Sequence, residues 1–141
     1  MREILFRGKT KTGIWIEGFI FQTECDGVKE WCISMTPLSA NDYSEILGDY
    51  GDVIPETVGQ YTGLTDDKNG KKIFEGDIVA VYVKGCRTIC TVSWAETVAH
   101  FQLWQINTIP GTPTALNLGN YDCEVIGNIH DNPELLKGGA E

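Results

Sequence analysis

Apolar and polar positions alternate along this chain in short runs cut by turn residues, and the period is two almost throughout. Ile4 to Arg7 predicts a first strand with Ile4 and Phe6 on one face. Lys9-Thr10-Lys11-Thr12-Gly13 turns the chain, and Ile14 to Phe21 returns as a second, strongly apolar strand. Cys25-Asp26-Gly27 supplies another turn, and Glu30 to Met35 a third strand that ends before Pro37. Strands so closely joined predict an N-terminal β meander. The pattern then breaks: Ser39 or Asn41 is placed to cap a short helix carrying Tyr43, Ile46 and Leu47 and stopped by Gly48. Pro55 confines any strand over Val53 to Val58 to an edge or a bulge.

The stretch from Thr57 to Val83 is the most clearly patterned. Asn69-Gly70 tolerates the positive φ angles of a type I′ turn and predicts a tight hairpin. After a second turn at Glu75-Gly76-Asp77, Ile78 to Val83 sends Val79, Val81 and Val83 one way and Ile78, Ala80 and Tyr82 the other. Neither face is polar enough for water, so this strand is expected to be covered on both sides and to lie centrally in a sheet or barrel. Lys84-Gly85 turns into a strand from Arg87 to Trp94, with Thr88, Cys90, Val92 and Trp94 sharing a face, and Ala99 to Ile106 returns from it. Ile109-Pro110-Gly111-Thr112-Pro113 reads as an exposed loop and Cys123 to Ile129 as the last strand. Asn132 then looks like a helix cap, with Pro133 at the first helical position and Gly138 just past the end.

Three segments carry a resemblance. GQYTGLTDDKNGKKIFEGDIV from Gly59 to Val79, the start from Met1 to Lys9, and the end from Glu124 to Leu136 resemble the YopX family, small proteins encoded mostly by bacteriophages and prophages. The likeness does not rest on Phe19 to Asp52 or on Lys84 to Tyr121. It implies a mainly β fold of several coiled antiparallel sheets, including an SH3-like barrel, with short helical turns only. It brings no established activity and no catalytic residue to carry over. The expected organisation is a single domain over residues 1–141, with the meander at about 1–36 and a central and C-terminal barrel at about 53–136.

Composition changes the picture little. A 141-residue chain with 42% apolar and 22% charged residues has the balance of a folded globular protein. It shows no apolar run long enough to span a membrane or to form a signal-peptide core, so the expected location is the host cell cytoplasm, with no membrane partner. Five cysteines without a leader point to reduced thiols rather than a disulfide framework. Charge is more informative. The net value is −9, yet Arg2, Arg7, Lys9 and Lys11 crowd the first eleven residues, while Glu30 to Asp67 holds eight acids and no Lys or Arg. Solvated loops explain such asymmetry most simply, and complementarity between the two regions, within one chain or between copies, is the sharper reading.

Each candidate for chemistry has a plainer explanation. Asp66-Asp67-Lys68-Asn69-Gly70 opens like an EF-hand, but that register puts Thr65 first and Gly76 at the twelfth position, where a carboxylate is needed, so a hairpin turn is expected instead of calcium. Cys86 and Cys90 have a spacing thiolate ligands tolerate but lack a second pair, and two half-buried cysteines on one strand face suffice. His100 and His130 fit structural roles, and a nucleophilic pair would need Cys90 or Cys123 to meet one of them in space. Glu75 and Asp77 flank a turn glycine and offer no reason for a shifted pKa. Trp15, Trp31, Trp94 and Trp104 could stack bases or sugars, though core packing is their default use. No nucleotide-binding glycine loop is present. The chain is therefore expected to be no enzyme, to need no cofactor or metal, and to work as a protein-interaction or assembly module, through self-association or an unknown host or phage protein. Two alternatives remain. One is nucleic-acid binding by an SH3-like module through Lys68, Lys71, Lys72, Lys84 and Arg87; the other is an acidic DNA-mimic decoy using Asp42, Glu45, Asp49, Asp52 and Glu56.

Overall fold

A computed structural model describes residues 4–34, 50–97 and 99–137. The helix expected after Ser39, with Tyr43, Ile46, Leu47 and Gly48, lies outside the described residues, as does Gly138. The chain divides into two compact units, Met1–Tyr61 and Thr62–Glu141.

In the first unit, β1 (Phe6–Lys9), β2 (Trp15–Cys25), β3 (Val28–Ser34) and β4 (Tyr50–Asp52) are followed by the opening residues of β5 (Gly59–Thr65). They lie in the order β4-β3-β2-β1-β5, every pairing antiparallel. The expected meander is thus present. Asp26 (φ 52) and Gly27 (φ 80) both take positive φ in the two-residue link between β2 and β3, the signature of a type I′ turn. Where the strand after Val53 was restricted by proline, the chain instead makes a 3₁₀ turn at Pro55–Thr57. The Thr57 hydroxyl donates to Ile54 O (2.6 Å) and accepts the Lys9 N–H (2.8 Å), tying this turn to β1.

In the second unit, β5 continues beside β6 (Lys72–Phe74). The five strands β7 (Asp77–Val83), β8 (Cys86–Ala95), β9 (His100–Gln105), β10 (Ala115–Asn117) and β11 (Glu124–Asn128) form an open antiparallel sheet ordered β10-β9-β8-β7-β11. Its inner face makes the core: Val79, Val81, Cys90, Val92 and Leu103 are each at most 2% exposed, and Ile73, Leu116, Leu118 and Cys123 pack with them. Among the described residues the helical elements are 3₁₀ turns of three or four residues, so the fold is mainly β, as the patterning and the family likeness both required.

Several local expectations need correction. The Asn69-Gly70 corner is not a two-residue type I′ turn. Only Gly70 takes positive φ (68), and the link is a longer loop closed by Asp66 N to Lys71 O (2.7 Å) and Gly70 N to Asp66 O (2.8 Å). The second face of β7 is covered at Ile78 and Ala80 but not at Tyr82, which is 67% exposed. The tryptophans are not core residues: Trp31, Trp94 and Trp104 are 37 to 44% exposed and Trp15 is half-buried. Cys86 and Cys90 are not a half-buried pair, since Cys90 is fully buried and Cys86 exposed at the strand end. Asn132 precedes the 3₁₀ turn Pro133–Leu136 but caps nothing with its side chain. Its Oδ1 accepts the Asn128 N–H (3.2 Å), filling the space that a Cβ on Gly127 would need.

Candidate interaction site

The lysine-bearing hairpin is held by one buried carboxylate. Asp66 is 1% exposed, and its Oδ1 accepts the Lys68 and Asn69 N–H groups (2.6 and 3.0 Å). Its Oδ2 accepts the Asn69 side-chain amide (3.3 Å) and the N–H of Val125 at the start of β11 (2.8 Å). Burial alone would push this carboxyl up, but the N–H donors of Val125, Asn69 and Lys68 outweigh it and hold the pKa below its ordinary value. Asp66 thereby sets the loop conformation: two successive amides turned toward one carboxylate make a helical first turn, which an Asn-Gly type I′ corner cannot do. Asp67 next to it is exposed, and a hydrogen bond with the Asp122 carboxyl pushes its pKa up.

The five candidate cations split between two hairpins. Lys68 and Lys71 belong to the β5–β6 link and Lys72 opens β6, while Lys84 lies in the β7–β8 link and Arg87 near the start of β8. Lys68 lies 3.7 Å from Glu124, and Lys84 Nζ donates to Gly111 O at 3.5 Å. Arg87 sits opposite Tyr82 on the outer face of the sheet. Of the acidic set, Asp52 and Glu56 are exposed on β4 and on the Pro55–Thr57 turn, while Asp42, Glu45 and Asp49 lie outside the described residues. In the first unit Arg7 and Lys9 stand 4.9 and 5.9 Å from the Trp15 ring, a cation–π arrangement that occupies part of the basic start of the chain.

The thiols are placed for packing. Burial raises Cys90 to about 11 and Cys123 to about 12. Cys32 is raised to about 11 by burial and then by the hydrogen bond its thiol donates to Asp52 Oδ1 (3.1 Å). All three are protonated at neutral pH and so lack the thiolate that makes a cysteine a ready nucleophile. His100 shares its Nδ1 with Phe101 O at 3.0 Å, and the His130 N–H donates to Asn128 Oδ1. Among the described residues no group of three or more His, Cys, Asp and Glu is arranged to hold a metal, and no helix is long and apolar enough to cross a membrane.

Among the described residues, the outer face of β8, β9 and β10 has interface character, which sequence reasoning missed. Alternation puts Cys90, Val92, Leu103 and Leu116 inward, so Ile89, Thr91, Ser93, Gln102, Trp104 and Ala115 point outward. Thr91, Trp104 and Ala115 form one row across three strands, and Trp104 is 44% exposed between two small neighbours. The signal was in the sequence. From Thr88 to Tyr121 the only charged residue is Glu96, in a chain that is 22% charged. Open sheet faces are usually kept in water by Lys and Glu; absence of charge with an exposed aromatic at the centre is the composition of a buried interface core.

The family model described as YopX protein matches residues 6–137. No curated protein matches the sequence. A solved structure, the crystal structure of protein EF1440 from Enterococcus faecalis, is similar at 24% identity, covering 97% of this chain and 100% of that one, with a TM-score of 0.49.

Proposed function

Because the chain belongs to the YopX family, whose model spans residues 6–137, we propose that it is a non-enzymatic protein-interaction or assembly module of a phage or prophage, working in the host cell cytoplasm. The observation that carries this reading is the outer face of β8, β9 and β10 centred on Trp104, which carries no charge beyond Arg87 at the start of β8. In a chain with 31 charged side chains, 20 acidic and 11 basic, a half-exposed tryptophan ringed by Thr, Ser, Gln and Ala is the composition of a contact surface. The groups with potential for chemistry are already committed elsewhere. Asp66 holds four N–H donors, the Asp77 carboxylate accepts the Phe74 N–H, and the buried thiols stay protonated.

The test is capture of binding partners from host lysate by tagged protein, wild type against Trp104→Glu, with washes from about 50 to about 500 mM salt. A protein partner that survives the salt and is lost with the variant is the expected result. Nucleic acid that elutes as salt rises, or a partner indifferent to Trp104→Glu, would overturn the proposal.

A further inference from the structure

We propose that Asn69-Gly70 is a deamidation site gated by the Asp66 clasp, and that its reaction irreversibly loosens β11 from the β5–β6 hairpin. The inference goes beyond the reading of function above and does not depend on the outer face of the sheet. Asn69-Gly70 is the only Asn-Gly pair in the chain. Glycine has no Cβ to hinder attack by its own amide on the preceding side chain, and nothing lies within 4 Å of where a Cβ on Gly70 would stand. Both residues are exposed to the water and base that the reaction needs.

The covalent steps are these. The Gly70 amide gives its proton to solvent base and its nitrogen bonds to Asn69 Cγ, while the Cγ–Nδ2 bond breaks and Nδ2 leaves as ammonia. Water then opens the resulting succinimide at either carbonyl and leaves an aspartyl or isoaspartyl residue. The clasp opposes the first of these steps from both sides. Gly70 N donates to Asp66 O (2.8 Å), so the nitrogen cannot swing toward Asn69 Cγ without breaking that bond. The Asn69 side-chain amide donates to Asp66 Oδ2 (3.3 Å) and the Asn69 N–H to Asp66 Oδ1 (3.0 Å), so the electrophile is held by the same residue. Deamidation therefore waits for the loop to open.

The product cannot close the loop as before. A carboxylate at position 69 puts an oxygen where a donor met Asp66 Oδ2. The corner already holds Asp66, Asp67, Asp122 and Glu124 against Lys68, Lys71 and Lys72, and like charges so close repel. The isoaspartyl form also lengthens the main chain by one carbon. Because Asp66 Oδ2 is the acceptor for the Val125 N–H at the start of β11 (2.8 Å), displacing it frees that strand end.

The test is peptide mass spectrometry of the full chain held at about pH 8, where base is available and the fold is kept, with isoaspartate detected separately. Native protein is expected to react roughly 30-fold more slowly than the urea-unfolded chain, since opening leaves buried donors unsatisfied. Asp66→Asn, confirmed as folded by circular dichroism, should recover most of that difference. The gate is also read without a variant: below the unfolding midpoint the native rate should rise with urea less steeply than global unfolding, because only the loop opens. Asn69→Asp carries the product's charge, and in it the Val125 amide should exchange with deuterium at least about tenfold faster than in wild type, with Val81 and Leu103 in the core unchanged. Equal rates in native and unfolded chains, a urea dependence as steep as global unfolding, a folded Asp66→Asn no faster than wild type, or Val125 exchange unmoved by Asn69→Asp overturns the proposal.

Discussion

Asp66 is the residue on which the hairpin depends, because four donors converge on one side chain with almost no access to water. Asp66→Asn keeps the size but replaces one acceptor oxygen by a donor that faces N–H groups. The expected loss is about 2–3 kcal/mol of stability, the cost of leaving buried amides unsatisfied, read as a lower denaturant midpoint. The pH dependence has a definite sign. The folded pKa lies below the ordinary value of 3.8, so this carboxylate contributes stability that is fully present above that value and is lost as pH falls through the folded pKa. In Asp66→Asn that part of the acid destabilisation should vanish. The thiols answer a separate question at the same scale. With Cys32, Cys90 and Cys123 buried and raised to about 11 or 12, a thiol reagent near neutral pH should label only the exposed Cys25 and Cys86 in the native protein. All five should react after denaturation, and native labelling of a third site would contradict the core described above.

At the scale of elements, the loop between β9 and β10 shows how a buried polar side chain replaces regular structure. Gln105 is 5% exposed; its amide donates to Thr112 Oγ1 (3.0 Å) and Pro113 O (2.7 Å), and its Oε1 accepts the Ile109 N–H (3.1 Å). Gln105→Leu keeps the volume and removes all three bonds, so proteolysis between Ile106 and Thr114 should accelerate well before the protein unfolds globally. An unchanged cleavage rate would show that the loop is held by other contacts. This side chain also marks the limit of what the amino-acid pattern revealed. Strand parity was legible, because a buried face repeats every second residue; β2, β3, β7, β8 and β9 lie within a few residues of where alternation puts them. Parity cannot tell which apolar side becomes the core. In His-Phe-Gln-Leu-Trp-Gln both faces are apolar enough, and the inward choice of Phe101 and Leu103 follows from their pairing with Trp94 and Val92 on β8. The Asn69-Gly70 corner was misjudged for a different reason: the dipeptide rule knows only its own φ angles, whereas the turn is set by a carboxylate three residues earlier that is buried under β11.

For the whole molecule, salt separates the two kinds of binding that its charge permits. A nucleic-acid complex loses affinity as salt rises, because each phosphate contact releases counterions. Two copies of this chain meet under the opposite rule. Each carries a net charge of −9, and at ~20 mM salt the screening length of ~20 Å lets that charge act across the whole approach, while at ~0.15 M it falls to ~8 Å. The contact centred on Trp104 is indifferent to this range. Self-association through that face should therefore strengthen by several-fold from ~20 to ~150 mM salt and then level off once the net charge is screened. The gain should be smaller in Glu96→Arg, where the net charge to be screened is smaller, and larger in Arg87→Glu, where it is greater. Sedimentation at a series of ionic strengths reads this directly, and association that falls monotonically from the lowest salt would mean that attraction between charges, and not the face centred on Trp104, holds the copies together.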